Sequence, residues 1–164
     1  MKEKFVYEWL EKAQIPYKKY EHPAAYTMEE RRRLPFLDPT VTMCKNLVLC
    51  NRQQTAFYLL VMLPEKPFHT GKVSKALGSS RLSFAPDTVL PELLGVRSGA
   101  VSPLGLLLDK ERRVRLICDG ELKKASRIAF HPLVNTATVI FDGEVFWQQV
   151  LPAMGVMPCF IDCD

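Results

Sequence analysis

The amino-acid sequence predicts a single domain of the α+β or mixed α/β class. Its 164 residues suit one domain, and 48% of them are hydrophobic while 24% are charged, which is ordinary globular usage. Apolar runs typical of strands outnumber the segments with helical spacing, and helices are interspersed among them. No internal repeat or low-complexity segment is present. We therefore expect strands and helices packed around one core.

The first predicted elements are a helix and a strand. Apolar residues recur at helical spacing up to Pro16, which predicts an amphipathic helix over residues 3–14. Alternation over residues 17–22 predicts a short strand. A capping box at Thr27-Met28-Glu29-Glu30 then predicts a short helix that ends near Pro35.

Two strongly apolar runs predict a β-hairpin. They cover residues 41–50 and 55–63, and the polar residues 51–54 between them form the turn. Lys45 and Asn46 interrupt the first run. The pattern leaves two interpretations open: both side chains face water at a strand end, or both face a pocket.

The middle of the chain continues with helices. Residues 72–77 predict a helix that ends at Gly78, and a polar turn with a brief strand follows. Asp87 or Thr88 can cap the next helix, which ends at Gly95.

The last third of the chain predicts strands, a helix and a tail. Strands are expected over residues 114–118 and 136–141, with a helical turn over 121–124 between them. A final helix begins after Asp142-Gly143 and stops at Pro152. We expect the domain to cover residues 1–152 and the tail, residues 153–164, to be irregular.

The loop Gly99–Gly105 is a candidate for presenting backbone amides to a ligand. Gly99 and Gly105 can adopt positive φ at little cost, while Pro103 removes one N–H and fixes its φ. Such a loop can direct several amides at one oxygen atom. The alternative is a tight connection without chemistry. Ser102 stands in no recognisable nucleophile, histidine and acid order, so we treat it as a loop residue.

Charge and cysteine content narrow the classes of partner and compartment. The formal net charge of +4 favours an anionic partner without requiring nucleic acid. No apolar run reaches the length of a membrane span and no signal-peptide core is seen, so a cytoplasmic protein without a membrane partner is expected. The five cysteines are interpreted as reduced thiols, because Cys44 and Cys50 lie too far apart on one predicted strand to bridge. Cys159 and Cys163 have no nearby histidine, which favours buried or tail residues over zinc ligands.

Two reactive side chains need weighing against ordinary structural roles. Cys44 next to Lys45 allows a lowered thiol pKa and a redox or thiol sensor, but its apolar strand favours a buried, inert thiol. His131 is either a structural group or part of a site. The G-x-S-x-G, P-loop, Rossmann and H-E-x-x-H signatures are absent, which excludes many enzyme classes.

Several segments in fixed order carry a resemblance that no single motif does. They are His22-Pro23 with Thr27 and Glu30, Lys45-Asn46-Leu47, Gly78-Ser79-Ser80-Arg81-Leu82-Ser83-Phe84-Ala85, Gly99-x-x-x-Pro103 with Leu104-Gly105-Leu106, and Phe130-His131-Pro132 through Asn135-Thr136-Ala137-Thr138. From residue 1 to about 150 the chain resembles the YbaK/prolyl-tRNA-synthetase-associated editing family, and within it the freestanding prolyl-tRNA editing proteins. Leu104 and Leu108 depart from the family pattern, which has an aromatic residue and Asn there, and these positions bear on fine substrate choice.

The resemblance implies a fold and an activity. The fold would be one domain with a central mixed or barrel-like β-sheet flanked by helices. The activity would be hydrolysis of the wrong amino acid from the acceptor end of mischarged tRNA, in trans to prolyl-tRNA synthetase, with alanine on tRNA for proline as the substrate. No metal, cofactor or covalent intermediate would be needed. The alternatives are a deacylase for cysteine or another small amino acid, and a non-catalytic module that binds tRNA or the synthetase.

The resemblance also assigns site residues. Lys45 would bind the terminal adenosine phosphate or ribose, and Asn46 would fix the aminoacyl end. The catalytic set is Lys45 with the loop residues Gly99, Ala100, Val101, Ser102 and Pro103, and the substrate-binding set is Asn46, His131, Gly105, Ser80, Arg81 and Asn135. His131 would act by positioning or by proton transfer. Basic residues would either contact acceptor-stem phosphates or form solvated faces; they are Arg31, Arg32, Arg33, Lys72, Lys75 and Arg81.

Overall fold

Two β-sheets carry the fold in the computed structural model, which describes residues 2–24, 29–30, 33–34 and 37–164. Arg31, Arg32 and Pro35 lie outside the described residues, as do Thr27 and Met28 of the predicted capping box. The first sheet has four strands in the order β1-β8-β7-β2, and the second has five in the order β5-β3-β4-β6-β9. Their bounds are Lys18–Glu21 (β1), Val41–Met43 (β2), Lys45–Cys50 (β3), Phe57–Met62 (β4), Ser83–Phe84 (β5), Val114–Asp119 (β6), Arg127–Phe130 (β7), Ala137–Asp142 (β8) and Cys159–Ile161 (β9).

Both sheets contain parallel and antiparallel pairs, so the predicted α+β class is confirmed. In the first sheet β8 runs antiparallel to β1 and β7, while β2 runs parallel to β7. In the second, β3 runs antiparallel to β4 and β5, while β6 runs parallel to β4 and β9. Within the described residues the strands form two sheets rather than one central sheet, and they do not close into a barrel.

The predicted strand over residues 41–50 is divided at Cys44. The segment before Cys44 pairs with β7 in the first sheet, and the segment after it pairs with β4 in the second. Apolar composition is continuous across this point, so it gives no sign of the transfer between sheets. The consequence is that Lys45 begins its strand at the place where the sheets meet.

The predicted hairpin is confirmed by the pairing of β3 with β4. The register runs from Lys45 opposite Met62 to Cys50 opposite Phe57. Asn51 closes the turn, since its Oδ1 accepts hydrogen bonds from the backbone N–H of Thr55 at 2.8 Å and of Ala56 at 3.1 Å.

Strand β4 explains why the hairpin sequence lacks polar alternation. Its six residues are all buried. One side of the strand packs into the larger hydrophobic cluster and the other into a smaller one, so the strand has no water-facing side.

The helices use glycine C-caps where the sequence predicts them. Helix α1 covers Lys2–Lys12 and buries Val6 and Leu10. Helix α2 covers Thr70–Leu77 and ends at Gly78, and α3 covers Leu90–Leu94 and ends at Gly95; both glycines adopt the left-handed conformation. A 3-10 turn over Asp87–Val89 precedes α3, and Pro86 is its N-cap, so the predicted side-chain cap from Asp87 or Thr88 is wrong.

The last helix runs through the predicted stop at Pro152. It covers residues 143–154, and the turn before Leu151 is a π-helix over Phe146–Val150. Pro152, which has no N–H to donate, follows closely after this π-helical turn, and the chain stays helical through the proline to Met154.

The tail is not irregular, because Cys159–Ile161 forms β9 at the edge of the second sheet. Strand β7, which covers Arg127–Phe130, was not predicted either; both strands are short, and each pairs with a strand distant in the sequence. Among the described residues, no helix has the length and apolar character needed to cross a membrane.

Candidate functional site

A pocket of about 390 Å³ opens where the two sheets meet. The junction of β2 with β3, the end of β7, and the segments around Phe84 and Ser98 line it. The lining includes five of the residues that the sequence assigns to a site: Lys45, Asn46, Gly99, Val101 and His131. The remaining predicted site residues lie outside the lining.

Lys45 is held in the pocket wall by a backbone carbonyl. It is half-buried, and its Nζ donates a hydrogen bond to the carbonyl oxygen of Lys66, in the loop after β4. That contact leaves two further N–H groups on the ammonium for a ligand. Because the cation has a fixed position at the first residue of β3, it suits an anionic group that enters the pocket.

Lys66 is itself anchored by three carboxylates. Its Nζ lies 3.0 Å from Asp119 Oδ2, 3.2 Å from Glu121 Oε1 and 2.8 Å from Asp164 Oδ1. Only 13% of the Lys66 side chain and 1% of the Asp119 side chain are exposed. Burial alone lowers the pKa of Lys66, but its hydrogen bonds to Asp164, Asp119 and Glu121 outweigh burial and hold the pKa above its ordinary value. The tail therefore braces the loop that positions Lys45.

Asn46 presents a buried acceptor with no partner among the described residues. Its Oδ1 atom is buried and accepts no hydrogen bond from that part of the chain. A buried polar atom of this kind costs free energy unless a ligand satisfies it. An N–H or ammonium group in the pocket would supply the missing donor.

The loop Gly99–Gly105 divides into a pocket-facing part and a supporting part. Gly99 has a φ of 95°, which confirms the predicted positive φ, and it lines the pocket with Val101. Ser102 is buried, and its Oγ accepts from the backbone N–H of Leu104 at 3.1 Å. This contact caps a 3-10 helix over Pro103–Leu108. Ala100 and Pro103 are also buried outside the lining.

Gly105 is needed for close packing and not for positive φ. A Cβ atom at this position would lie 2.9 Å from the backbone oxygen of Leu94 in α3. The residue is buried behind the pocket. The two departures from the family pattern, Leu104 and Leu108, lie outside the lining as well, and the Leu108 side chain packs against Gly95.

His131 directly follows β7, and a hydrogen bond made by one of its ring nitrogens determines the tautomer. Its Nδ1 is 2.9 Å from the carbonyl oxygen of Ala137. Since a carbonyl oxygen only accepts, Nδ1 carries the proton, and in the neutral ring Nε2 is then the acceptor nitrogen. The ring of His22 lies 6.2 Å away between centroids, and His22 Nε2 is 2.8 Å from Thr138 Oγ1. Sequence spacing gave no sign of this proximity.

The predicted substrate-binding residues Ser80, Arg81 and Asn135 do not line the pocket. Ser80 and Arg81 are exposed in the turn before β5, and Asn135 is half-buried in the turn before β8. Phe84, Asp87 and Ser98 line it instead. Phe84 belongs to a segment that the resemblance matched, which is the only sequence signal for any of the three.

Four of the five thiols are buried, and Cys159 is partly exposed. Burial raises the pKa of Cys44 well above its ordinary value, and burial raises that of Cys163 to about 11. All five cysteines are free thiols. A protonated thiol is a poor nucleophile, so a thiol-based sensor at Cys44 is disfavoured. Across the described residues, no group of three His, Cys, Asp or Glu side chains is placed to hold a metal ion.

Comparison with known proteins assigns the family. Residues 22–146 match the aminoacyl-tRNA editing domain. The chain belongs to this family. Prolyl-tRNA editing protein ProX of Acetoanaerobium sticklandii is 33% identical over 146 residues, which cover 89% of this chain and 88% of the relative. Prolyl-tRNA synthetase associated domain-containing protein 1 of Danio rerio is 36% identical over 135 residues, which cover 80% and 72%.

The fold of this editing domain recurs in solved structures. A crystal structure described as a candidate trans-editing enzyme for prolyl tRNA synthetase superposes with a TM-score of 0.72 and 18% identity, covering 98% of this chain and 96% of that one. At this identity the likeness concerns the fold, so the chemistry must be argued from the pocket.

Proposed function

We propose that this editing domain deacylates mischarged tRNA in trans, with alanine on tRNA for proline as its main substrate. The observation that carries the proposal is the pocket itself. It combines a hydrogen-bonded cation at Lys45, a buried acceptor at Asn46 that no described residue satisfies, the positive-φ backbone of Gly99 and the imidazole ring of His131. These are the groups needed to hold a nucleotide-linked amino-acid ester.

A second, smaller site is needed because a synthetic site cannot reject a smaller amino acid by size. An active site that admits proline also admits alanine, and the lost contacts discriminate by only about 1–3 kcal/mol. A pocket that accepts alanine and excludes proline removes the error after it occurs. Cysteine or serine esters are the competing substrates of similar size.

The chemical step is hydrolysis of an ester. A water oxygen attacks the carbonyl carbon, and a tetrahedral oxyanion forms. The bond to the ribose oxygen then breaks, which releases alanine and tRNA with a free hydroxyl group. We assign the oxyanion hole, the set of donors that stabilises the negatively charged oxygen, to backbone N–H groups of the loop around Gly99 and Val101. Among the lining side chains we assign transfer of the proton to His131, through Nε2.

Charged groups of the lining match the charges of the substrate. Lys45 would pair with the phosphate of the terminal nucleotide. Asp87 supplies a carboxylate that suits the protonated α-amino group, and Asn46 Oδ1 supplies an acceptor for the same group. The roles of Ala100, Ser102 and Pro103 would be to hold the loop in shape.

The proposal extends to metal independence, compartment and partner. Water activation by His131 and backbone donors requires no metal ion, so a chelator should leave the rate unchanged. We expect the protein to act in the cytoplasm, and prolyl-tRNA synthetase, which generates the mischarged tRNA, is the expected functional partner.

The experiment is a deacylation panel with the purified protein. Transfer RNA for proline carrying alanine, cysteine or serine is incubated with and without protein, and the remaining ester is followed in time. We expect the alanine ester to disappear fastest, with and without EDTA. Unchanged half-lives of all three esters would contradict an enzymatic function and favour a non-catalytic binding module.

A further inference from the structure

Phe84 is an exposed aromatic ring at the rim of the pocket. It is 59% exposed and also lines the pocket. A single exposed apolar side chain is ordinary on a protein surface. Phe84 shares the pocket lining with Lys45, so its surroundings decide what it does.

The ring is held in place from two directions. Its strand, β5, pairs with β3 so that Phe84 lies opposite Leu49. The next residue continues the contact, because the Ala85 N–H donates to the Val48 carbonyl oxygen at 2.8 Å. Phe68 packs against the Phe84 ring with 5.2 Å between centroids and 47° between planes. Phe68 is half-buried and contacts the smaller hydrophobic cluster, so it supports the ring from behind.

Basic residues lie near Phe84, together with the carboxylate of Asp87 in the pocket lining. Lys45 belongs to the same pocket lining, and Arg81 is exposed three residues before Phe84. A flat apolar surface next to a cation suits a nucleotide, whose base stacks while its phosphate pairs with the cation. The inner part of the pocket remains available for the amino acid.

We propose that Phe84 is the stacking platform for the terminal base of the tRNA acceptor end. The inference rests on the proposed function, because it takes the tRNA 3′ end as the ligand of this pocket. Stacking on Phe84 would orient the terminal ribose so that its aminoacyl group enters between Asn46 and Gly99. The platform would tolerate any base, since every base has an apolar face.

A double-mutant cycle tests the platform directly. A fluorescein-labelled acceptor-stem microhelix with its natural terminal adenine, and the same microhelix with an abasic terminal ribose, are titrated against wild-type protein and Phe84→Leu by fluorescence anisotropy. For wild-type protein, removal of the base should weaken binding by about 10-fold. For Phe84→Leu, the two microhelices should bind alike, because the stacking partner is absent.

Matched variants separate stacking from general effects. Phe84→Trp keeps an aromatic face and should retain the preference for adenine. Phe5→Leu changes another exposed phenylalanine, 43% exposed on α1, and should behave as wild type. Thermal unfolding of each variant checks that the fold is retained.

The outcomes distinguish this inference from the proposed function. If removal of the base weakens binding to Phe84→Leu as much as it weakens binding to wild type, Phe84 is not the platform. This holds even where wild-type protein hydrolyses alanine-charged tRNA normally. If wild-type protein binds both microhelices alike, the terminal base is not recognised by stacking and the inference fails. Failure of the deacylation panel would instead overturn the proposed function.

Discussion

The two walls of the pocket contribute different kinds of groups. The strand wall, Lys45 and Asn46 at the start of β3, offers side chains. Lys45 donates to the backbone carbonyl of Lys66, whose own ammonium is held by carboxylates that include Asp164. The loop wall, Gly99–Gly105, offers backbone at Gly99 and Val101, while Ser102 is buried as support. The strand wall should therefore be sensitive to loss of a side chain, and the loop wall to loss of a backbone conformation.

Removal of the Lys45 ammonium tests the strand wall and should have the largest effect. A hydrogen-bonded charge pair is worth about 1.5–3 kcal/mol, so Lys45→Ala should lower kcat/KM for alanine-charged tRNA by roughly 10- to 150-fold. Lys4→Ala, which removes an exposed lysine of α1, is the matched control and should retain full activity. Equal kcat/KM values for Lys45→Ala and wild type would show that Lys45 does not bind the substrate.

A β-branched residue at Gly99 tests the loop wall. The φ of 95° is disfavoured for valine, and such strain costs of order 1–3 kcal/mol, so Gly99→Val should reduce deacylation by about 10-fold or more. Gly78→Val also places valine at positive φ, but beside open space and outside the pocket lining. It should cost stability and leave the rate per folded molecule unchanged. Normal kinetics in Gly99→Val would show that the loop conformation is not required.

The support behind Lys45 should give an intermediate effect. Lys66→Met frees three carboxylates and loosens the loop whose carbonyl accepts from Lys45. We expect kcat/KM to fall by about 3- to 10-fold through a higher KM, as for a loss of roughly 1 kcal/mol of binding. A pure stability effect, with KM unchanged, would contradict the link between Lys66 and Lys45.

The same variant should show a pH signature. Hydrogen bonding to Lys66 lowers the pKa of Asp164 in the folded state. A depressed carboxyl pKa contributes stability above the unfolded-state pKa, and this contribution is lost as pH falls through the folded-state value. The difference in thermal stability between wild type and Lys66→Met should therefore narrow on acidification below about pH 4. A constant difference would show that Asp164 does not titrate against Lys66.

The smallest kinetic effect is expected at Ser102. Its hydroxyl caps the 3-10 helix and does not line the pocket, so Ser102→Ala should lower the free energy of unfolding by about 1 kcal/mol. Deacylation by the folded protein should change by less than about 2-fold. A large kinetic loss at normal stability would place the hydroxyl in the reaction and break the distinction between the two walls.

Local sequence rules predicted the parts of the fold that local interactions determine. The polar turn between two apolar runs predicted the hairpin of β3 and β4, and glycines at helix ends predicted the C-caps at Gly78 and Gly95. The positive φ of Gly99 followed from the permissive backbone of glycine. Each of these depends on residues within a few positions of one another.

The remaining features depend on contacts between distant segments. The break at Cys44 and the short strand β9 exist because each segment finds a partner strand elsewhere in the chain. The carbonyl of Lys66 meets Lys45 across the hairpin, and the Lys66 ammonium meets Asp164 near the end of the sequence. No local sequence pattern indicates contacts between such distant residues, so the contacts of Lys66 that support Lys45 were not predicted. The choice of pocket-lining residues had the same limit, since Ser80 and Arg81 were predicted where Phe84 lines the wall.

The most direct test of the central claim compares two esters of one tRNA. Transfer RNA for proline charged with alanine and the same tRNA charged with proline are each incubated with the purified protein, and the ester that remains is measured in time. The account predicts rapid loss of the alanine ester and spontaneous decay alone for the proline ester. Equal rates for the two esters, or spontaneous decay of both, would contradict it.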